Sequence, residues 1–169
     1  MLPLRYESSG FVQSPMGQVF AHIDDHTRLS SHMGEPSWRT GGGRMETEID
    51  SGRGQKVGSQ IRLSGRVFGV RLSVEETVTE RDPPRRKVWE TTGTPKLLVI
   101  GRYRMGFELS PQGMGSMLRV FIEYALPDRG PAHWLGRLFG RYYAGWCTRQ
   151  MVDDAVKHFT SRPATQRSN

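Results

Sequence analysis

Glu76 is the residue in this chain best placed to do chemistry. It falls in phase with Val70, Leu72, Val74 and Val78, so a strand here would turn one carboxylate to the same side as four apolar side chains. Burial raises a carboxyl pKa and suits the group to general acid–base work beside an inward tyrosine. Two ordinary arrangements compete: a bulge after Val74 that turns Glu76 outward, or an interior arginine that pairs with it. A second set, Asp24, Asp25, His26 and His32, contains zinc-ligand types, but its spacing matches no zinc signature. These residues read as solvated caps and turns, and no metal is expected. There is no phosphate-binding glycine loop ending in Lys-Ser/Thr, no Gly-x-Ser-x-Gly and no dinucleotide fingerprint, so no cofactor is expected either.

The elements that must position Glu76 are a long helix and a run of strands. From Pro131 to Phe159, Leu135, Leu138, Phe139, Tyr142, Trp146, Val152, Val156 and Phe159 recur at spacings of three and four, the mark of one apolar helix face. Arg137, Arg141, Asp153, Asp154 and Lys157 fall on the other face, and Pro131 suits a first helical turn. A helix of about 28 residues runs about 40 Å, so only a broad, curved sheet would cover such a stripe. Its rings either fill a solid core or line one wall of a hollow.

The middle of the chain supplies that sheet. Residues 4–13 read as a first strand ending at Val12. Ser14-Pro15 opens a helix with Ser14 as N-cap and Val19, Phe20, Ile23 and Leu29 as its buried set. One further short helical turn fits around Leu29 to Met33 before the glycines at 41–43. From Arg44 to Leu126 period-two alternation, broken by Gly, Pro and Asp, predicts strands at 44–50, 57–68, 70–81, 87–92, 97–110 and 117–126. The inward set includes Leu63, Leu72, Val74, Tyr103, Met105, Phe107, Val120, Ile122 and Tyr124. With Trp38, Phe139, Tyr142 and Trp146 these are the candidate ligand-lining residues. The outward set, Arg62, Arg66, Arg71, Glu75, Arg102, Arg104, Glu108, Arg119 and Glu123, is a solvated surface. Gly65 and Gly101 are placed to bend strands or to admit a ligand near the backbone.

Composition bounds the rest. The 169 residues, with 36% hydrophobic and 24% charged, suit one folded domain over 1–160 and a polar tail over 161–169. Cys147 is the one cysteine, which excludes an intramolecular disulfide and reads as a small semi-buried residue. The N-terminus lacks the pattern of a signal peptide, and the longest aliphatic run is Leu97 to Ile100, so a cytoplasmic location is expected. The net charge of +7 permits attraction to an anionic membrane. Arg85-Arg86-Lys87, with Arg81, reads as a short basic loop balanced by Glu80, Asp82 and Glu90. The outer face has few rings beyond Phe121, so specific nucleic-acid binding is not expected.

Strand, helix, short helix or loop, six strands and a long C-terminal helix is an order with a known counterpart. The marks are Ser14-Pro15 through Val19-Phe20, Asp24 to Leu29, Val57-Gly58, the run from Val78 through Asp82-Pro-Pro to Trp89, and the helix after Pro131. Over residues 8–160 the chain resembles the START/Bet v 1-like (SRPBCC) superfamily, in particular its bacterial polyketide cyclase/dehydrase and lipid-transport branch. The resemblance implies an α+β helix-grip fold: a curved antiparallel sheet of about seven strands around the last helix, with one or two short helices after the first strand. It also implies a largely apolar cavity for a lipid, isoprenoid or quinone, or an aromatic polyketide-like molecule. The superfamily has no shared catalytic motif to carry over. An enzyme of the cyclase/dehydrase kind using Glu76, and a module binding a protein or an anionic membrane, are the alternatives. Oligomeric state is left open.

Overall fold

A computed structural model describes residues 2–26, 45–67, 69–128 and 130–161. The elements are β1 (Leu4–Val12), α1 (Met16–Ile23), β2 (Met45–Ile49), β3 (Gln60–Val67), β4 (Val70–Asp82), β5 (Arg86–Lys96), β6 (Tyr103–Gln112), β7 (Gly115–Tyr124) and α2 (Pro131–Thr160). All strands are antiparallel in one open sheet of order β1-β7-β6-β5-β4-β3-β2, so the first strand closes onto the last. α2 packs chiefly on β1 and β7, and α1 reaches β6, β7 and α2. This is the helix-grip arrangement that the element order predicts.

The strand rules succeed wherever turn residues are unambiguous. Gly69 and Gly113 take positive φ at turns, where a side chain would be strained, and Gly93 does so inside β5. The Asp82-Pro-Pro-Arg85 turn, with a cis bond between Pro83 and Pro84, joins β4 to β5. Three boundaries differ from expectation: the strand expected over 87–92 does not stop at Gly93-Thr-Pro but continues as β5 to Lys96. β3 starts at Gln60 because Lys56 to Gly58 form a turn, and β6 starts at Tyr103 because residues 97–102 run as a connection along α2. Gly101 therefore bends no strand: its N–H donates to Ala125 O at 2.8 Å, and a Cβ there would meet Leu126 O at 2.9 Å. Ser14 does not cap α1 either; its hydroxyl donates to Gln18 Oε1, and Pro15 occupies the N-cap position. Val19, Phe20 and Ile23 are buried as expected, whereas Leu29 lies outside the described residues.

The orientation of α2 is the main correction. The face it buries is made of small residues, Gly136, Gly140, Ala144, Gly145, Cys147 and Thr148, followed by Met151, Val152 and Ala155. The large residues expected to face the sheet point away: Leu135 is 38% exposed, Phe139 51%, Tyr142 71% and Leu138 72%. The reason is volume. β1, β7 and the connections beside them already present large groups, so only small ones fit opposite. A Cβ on Gly145 would lie 2.9 Å from the Tyr6 ring, and one on Gly136 2.8 Å from Val99 O. Close packing of the larger partners favours the small-residue stripe over the apolar one. Farther along, Val152 is buried, and Trp146, Val156 and Phe159 pack partly against the core, as the periodicity predicts.

Candidate functional site

Cross-strand registry brings the chemistry-bearing residues together on the helix-facing side of the sheet. Leu63 pairs with Val74, Ile61 with Glu76, Val78 with Trp89, Trp89 with Met105, and Met105 with Ile122. Phe107 opposite Val120, and Tyr103 opposite Tyr124, extend the same surface. All of these are buried, so the surface they form is apolar except where Glu76 and the tyrosines enter it. The alternation through Val74 holds: Glu75 points out to Arg62, and Glu76 points in.

The buried Glu76 carboxylate accepts two side-chain hydrogen bonds. Tyr103 donates its hydroxyl to Glu76 Oε1, and the Trp89 indole N–H is a second donor. Burial pushes the Glu76 pKa up to about 7, with the two donors and the Lys87 charge pulling the other way. The same burial, reinforced by the neighbouring carboxylate, holds the Tyr103 hydroxyl well above its ordinary value. From α2, Tyr143 and Cys147, one turn apart, complete the cluster. They hydrogen-bond each other, and burial raises the thiol to about 12. Cys147 is thus a neutral thiol, and a reactive thiolate is excluded. Glu76 can exchange a proton near neutral pH with a group placed beside the Tyr103 hydroxyl.

A second polar cluster adjoins the first through the Trp89 ring, which meets the His26 ring edge-on at 4.8 Å. Lys87 is fully buried, and its Nζ donates to Asp24 O at 2.6 Å and to His26 Nδ1 at 3.1 Å, with Asp24 Oδ1 at 2.9 Å. A register shift between Val78 and Glu80 turns Arg81 onto the same side, where its guanidinium binds Asp24 Oδ2 at 2.8 Å. Burial would raise the Asp24 pKa, but hydrogen bonds from Arg81 and Lys87 outweigh it and hold the carboxyl below its usual range. His26 is lowered to about 3 by burial and by the Lys87 charge, so it is neutral. Asp24 and His26 are therefore interior anchors for the end of α1, in place of the solvated caps expected. The basic run divides likewise. Arg85 is exposed, Arg86 turns outward to Glu80 and Glu108, and Lys87 turns inward. It offers no anion-binding loop.

Of the other expected site residues, Leu72 and Trp146 are half-buried, and Phe139 and Tyr142 stand on the solvent side of α2. That side cannot line a space between helix and sheet, so these two are removed from the site. Trp38 and His32 lie outside the described residues. Sequence reasoning missed Lys87, Trp89, Tyr143 and the inward placement of Cys147. The two-residue step from Lys87 to Trp89 and the four-residue step from Tyr143 to Cys147 carried the signal. Among the described residues, no group of three or more His, Cys, Asp or Glu is placed to hold a metal ion.

A family described as polyketide cyclase/dehydrase and lipid transport has a profile that matches residues 4–159. The chain belongs to this family. Solved structures agree on the fold. A protein from Chromobacterium violaceum, CV1439, is 18% identical, with a TM-score of 0.63 over 95% of this chain and 99% of the other. A protein from Thermus thermophilus, TTHA0849, is 14% identical, with a TM-score of 0.64 over 94% of this chain and all 100% of its own. Ara h 8.0201, a Bet v 1 homologue, is 12% identical, with a TM-score of 0.62 over 94% and 99% of the two chains. No curated protein matches by sequence. Membership in this family supports a hydrophobic-ligand-binding fold. No helix among the described residues is long and apolar enough to cross a membrane.

Proposed function

We propose that this family member binds a hydrophobic small molecule between the helix-facing side of its sheet and α2. The ligand is a lipid, an isoprenoid or quinone, or an aromatic polyketide-like molecule, with its polar end at Glu76 and Tyr103. The observation that carries this reading is one carboxyl–phenol pair set in a surface otherwise built of Leu63, Val74, Met105, Phe107, Val120 and Ile122. Ligand sites are typically apolar with a few convergent polar groups that fix orientation. A ligand carbonyl or hydroxyl fits such a pair, because a carboxyl that titrates near neutrality can donate or accept.

Native mass spectrometry and solvent extraction of the purified protein test it. An apolar molecule is expected to co-purify, and Tyr103→Phe is expected to weaken its retention by roughly five- to tenfold, the effect of one lost hydrogen bond of about 1 kcal/mol. Absence of any bound or bindable apolar molecule would sink the proposal.

A second reading, proton transfer to the bound molecule, is favoured by the position of the Glu76 pKa near the pH of the cell. Under it, Glu76→Gln keeps the ligand but abolishes turnover. If Glu76→Gln left turnover unchanged, this carboxyl would have no catalytic role.

A further inference from the structure

We propose that the outward face of α2 docks this protein onto an anionic lipid bilayer. Trp134, Leu135, Leu138, Phe139 and Tyr142 fall at steps of one, three and four, which stacks them as one ridge over more than two helical turns. Trp134 is 65% exposed, and the other four project from the same side. Single exposed apolar residues are ordinary on protein surfaces, but a contiguous ridge of five marks an interaction face. The opposite face of the same helix is seated on β1 and β7 through small residues, so turning the ridge inward is sterically barred.

Charge selects the partner. Arg137 and Arg141 form the ridge next to this one, each three residues on from Trp134 and Leu138, and both are exposed. The Arg137 guanidinium lies over the Trp134 ring at 5.5 Å. From Pro131 to Val152 the helix has three arginines and neither Asp nor Glu. Five arginines of the sheet's outer face differ in this respect: Arg5, Arg62, Arg86, Arg104 and Arg119 are each paired with a carboxylate. An aromatic–aliphatic ridge beside arginines, on a stretch of helix without acidic residues, is the surface pattern of a helix lying in the plane of a membrane interface. Rings enter the headgroup–acyl boundary there, and guanidinium groups meet lipid phosphates. A second copy of the chain fits less well, because a two-fold contact on this ridge brings Arg137 and Arg141 against their own counterparts. This surface is separate from the interior of the protein and does not rest on the proposed ligand.

Sedimentation of the full-length protein with phosphatidylcholine vesicles, with and without phosphatidylglycerol, tests the proposal. Association is expected only with the anionic vesicles and is expected to weaken as salt is raised. Arg137→Gln with Arg141→Gln should reduce the partition coefficient by roughly 25-fold, about fivefold per arginine. Leu138→Ser with Tyr142→Ser should reduce it at least about tenfold, since each residue loses buried apolar area in the bilayer. Both double variants replace exposed residues and should keep the wild-type unfolding curve and any co-purified apolar molecule. Three results overturn the proposal: no association with anionic vesicles at low salt, association indifferent to the ridge variants, or a dimer that the ridge variants convert to monomer.

Discussion

At Glu76, burial and hydrogen bonding pull against each other. Burial wins: the folded-state pKa is about 7 against 4.5 for an unperturbed glutamate, so the folded protein holds this proton more tightly than the unfolded chain. The stability attached to Glu76 is therefore fully present below about 4.5 and is lost as pH rises through 7, a change of about 3 kcal/mol. His26 acts in the opposite sense. Its pKa is lowered from 6.5 to about 3, so its contribution is present above 6.5 and is lost as pH falls toward 3. The two slopes overlap, and the difference between wild type and Glu76→Gln isolates the first. Urea denaturation at a series of pH values is expected to show Glu76→Gln gaining on wild type from pH 5 upward toward pH 8. Tyr103→Phe, which removes a donor to the carboxylate, should move the Glu76 transition higher still. If Glu76→Gln tracks wild type at every pH, the carboxyl is not held as described. Alternation places Glu76 on the inward side in the sequence but leaves open a bulge after Val74 that would turn it out; the structure keeps the alternation through Val74 and Val78. The direction of Lys87 was not legible in the sequence. Arg85, Arg86 and Lys87 look alike as a basic run, and only the end of the Asp82-Pro-Pro-Arg85 turn decides that alternation starts between them.

Among the elements, α2 shows where a periodicity rule meets its limit. Its sequence carries two stripes of helical period, one of large apolar residues and one of Gly, Ala, Cys and Thr. A rule that assigns bulk to the core picks the first. The structure buries the second, because bulk is supplied from the opposite side by Tyr6, Tyr124, Leu126 and the Val99 backbone. The strands were legible to within a few residues, since each inner face meets its partners in registry and glycine or proline marks most turns. The connection 97–102 was not, because its apolar residues serve the contact with α2 instead of a ladder. Substitutions in α2 should reverse ordinary expectation. Gly136→Leu should cost about 1–3 kcal/mol by overpacking against Val99 and Leu126. Leu138→Ser should change stability by about 0.5 kcal/mol or less. Equilibrium denaturation of the two variants checks the pair of values, and equal losses would show that the helix faces are wrongly assigned.

For the molecule as a whole, charge and topology separate two surfaces. On the outer face of the sheet Arg5, Arg86, Arg104 and Arg119 interleave with Glu80, Glu108 and Glu123, each pair contributing at most about 1 kcal/mol. The chain carries an excess of +7, and the stretch of α2 from Pro131 to Val152, with three arginines and no acidic residue, is one place where it gathers. The order of the strands has its own consequence, which belongs to synthesis on the ribosome. β1 is made early, yet its neighbours are β7 and α2, and Arg5 and Glu123 meet across 118 residues of sequence. At about 5–20 residues per second, the first strand waits roughly 6–24 s for its partners, with its hydrogen-bonding edge unpaired. The fold cannot be assembled strand by strand from the N-terminus, and the sheet closes only after β7 and α2 have been made. In an arrest-peptide assay the pulling force should rise only when α2 has left the exit tunnel; an earlier rise would mean that the β2–β6 meander folds without its closing strands.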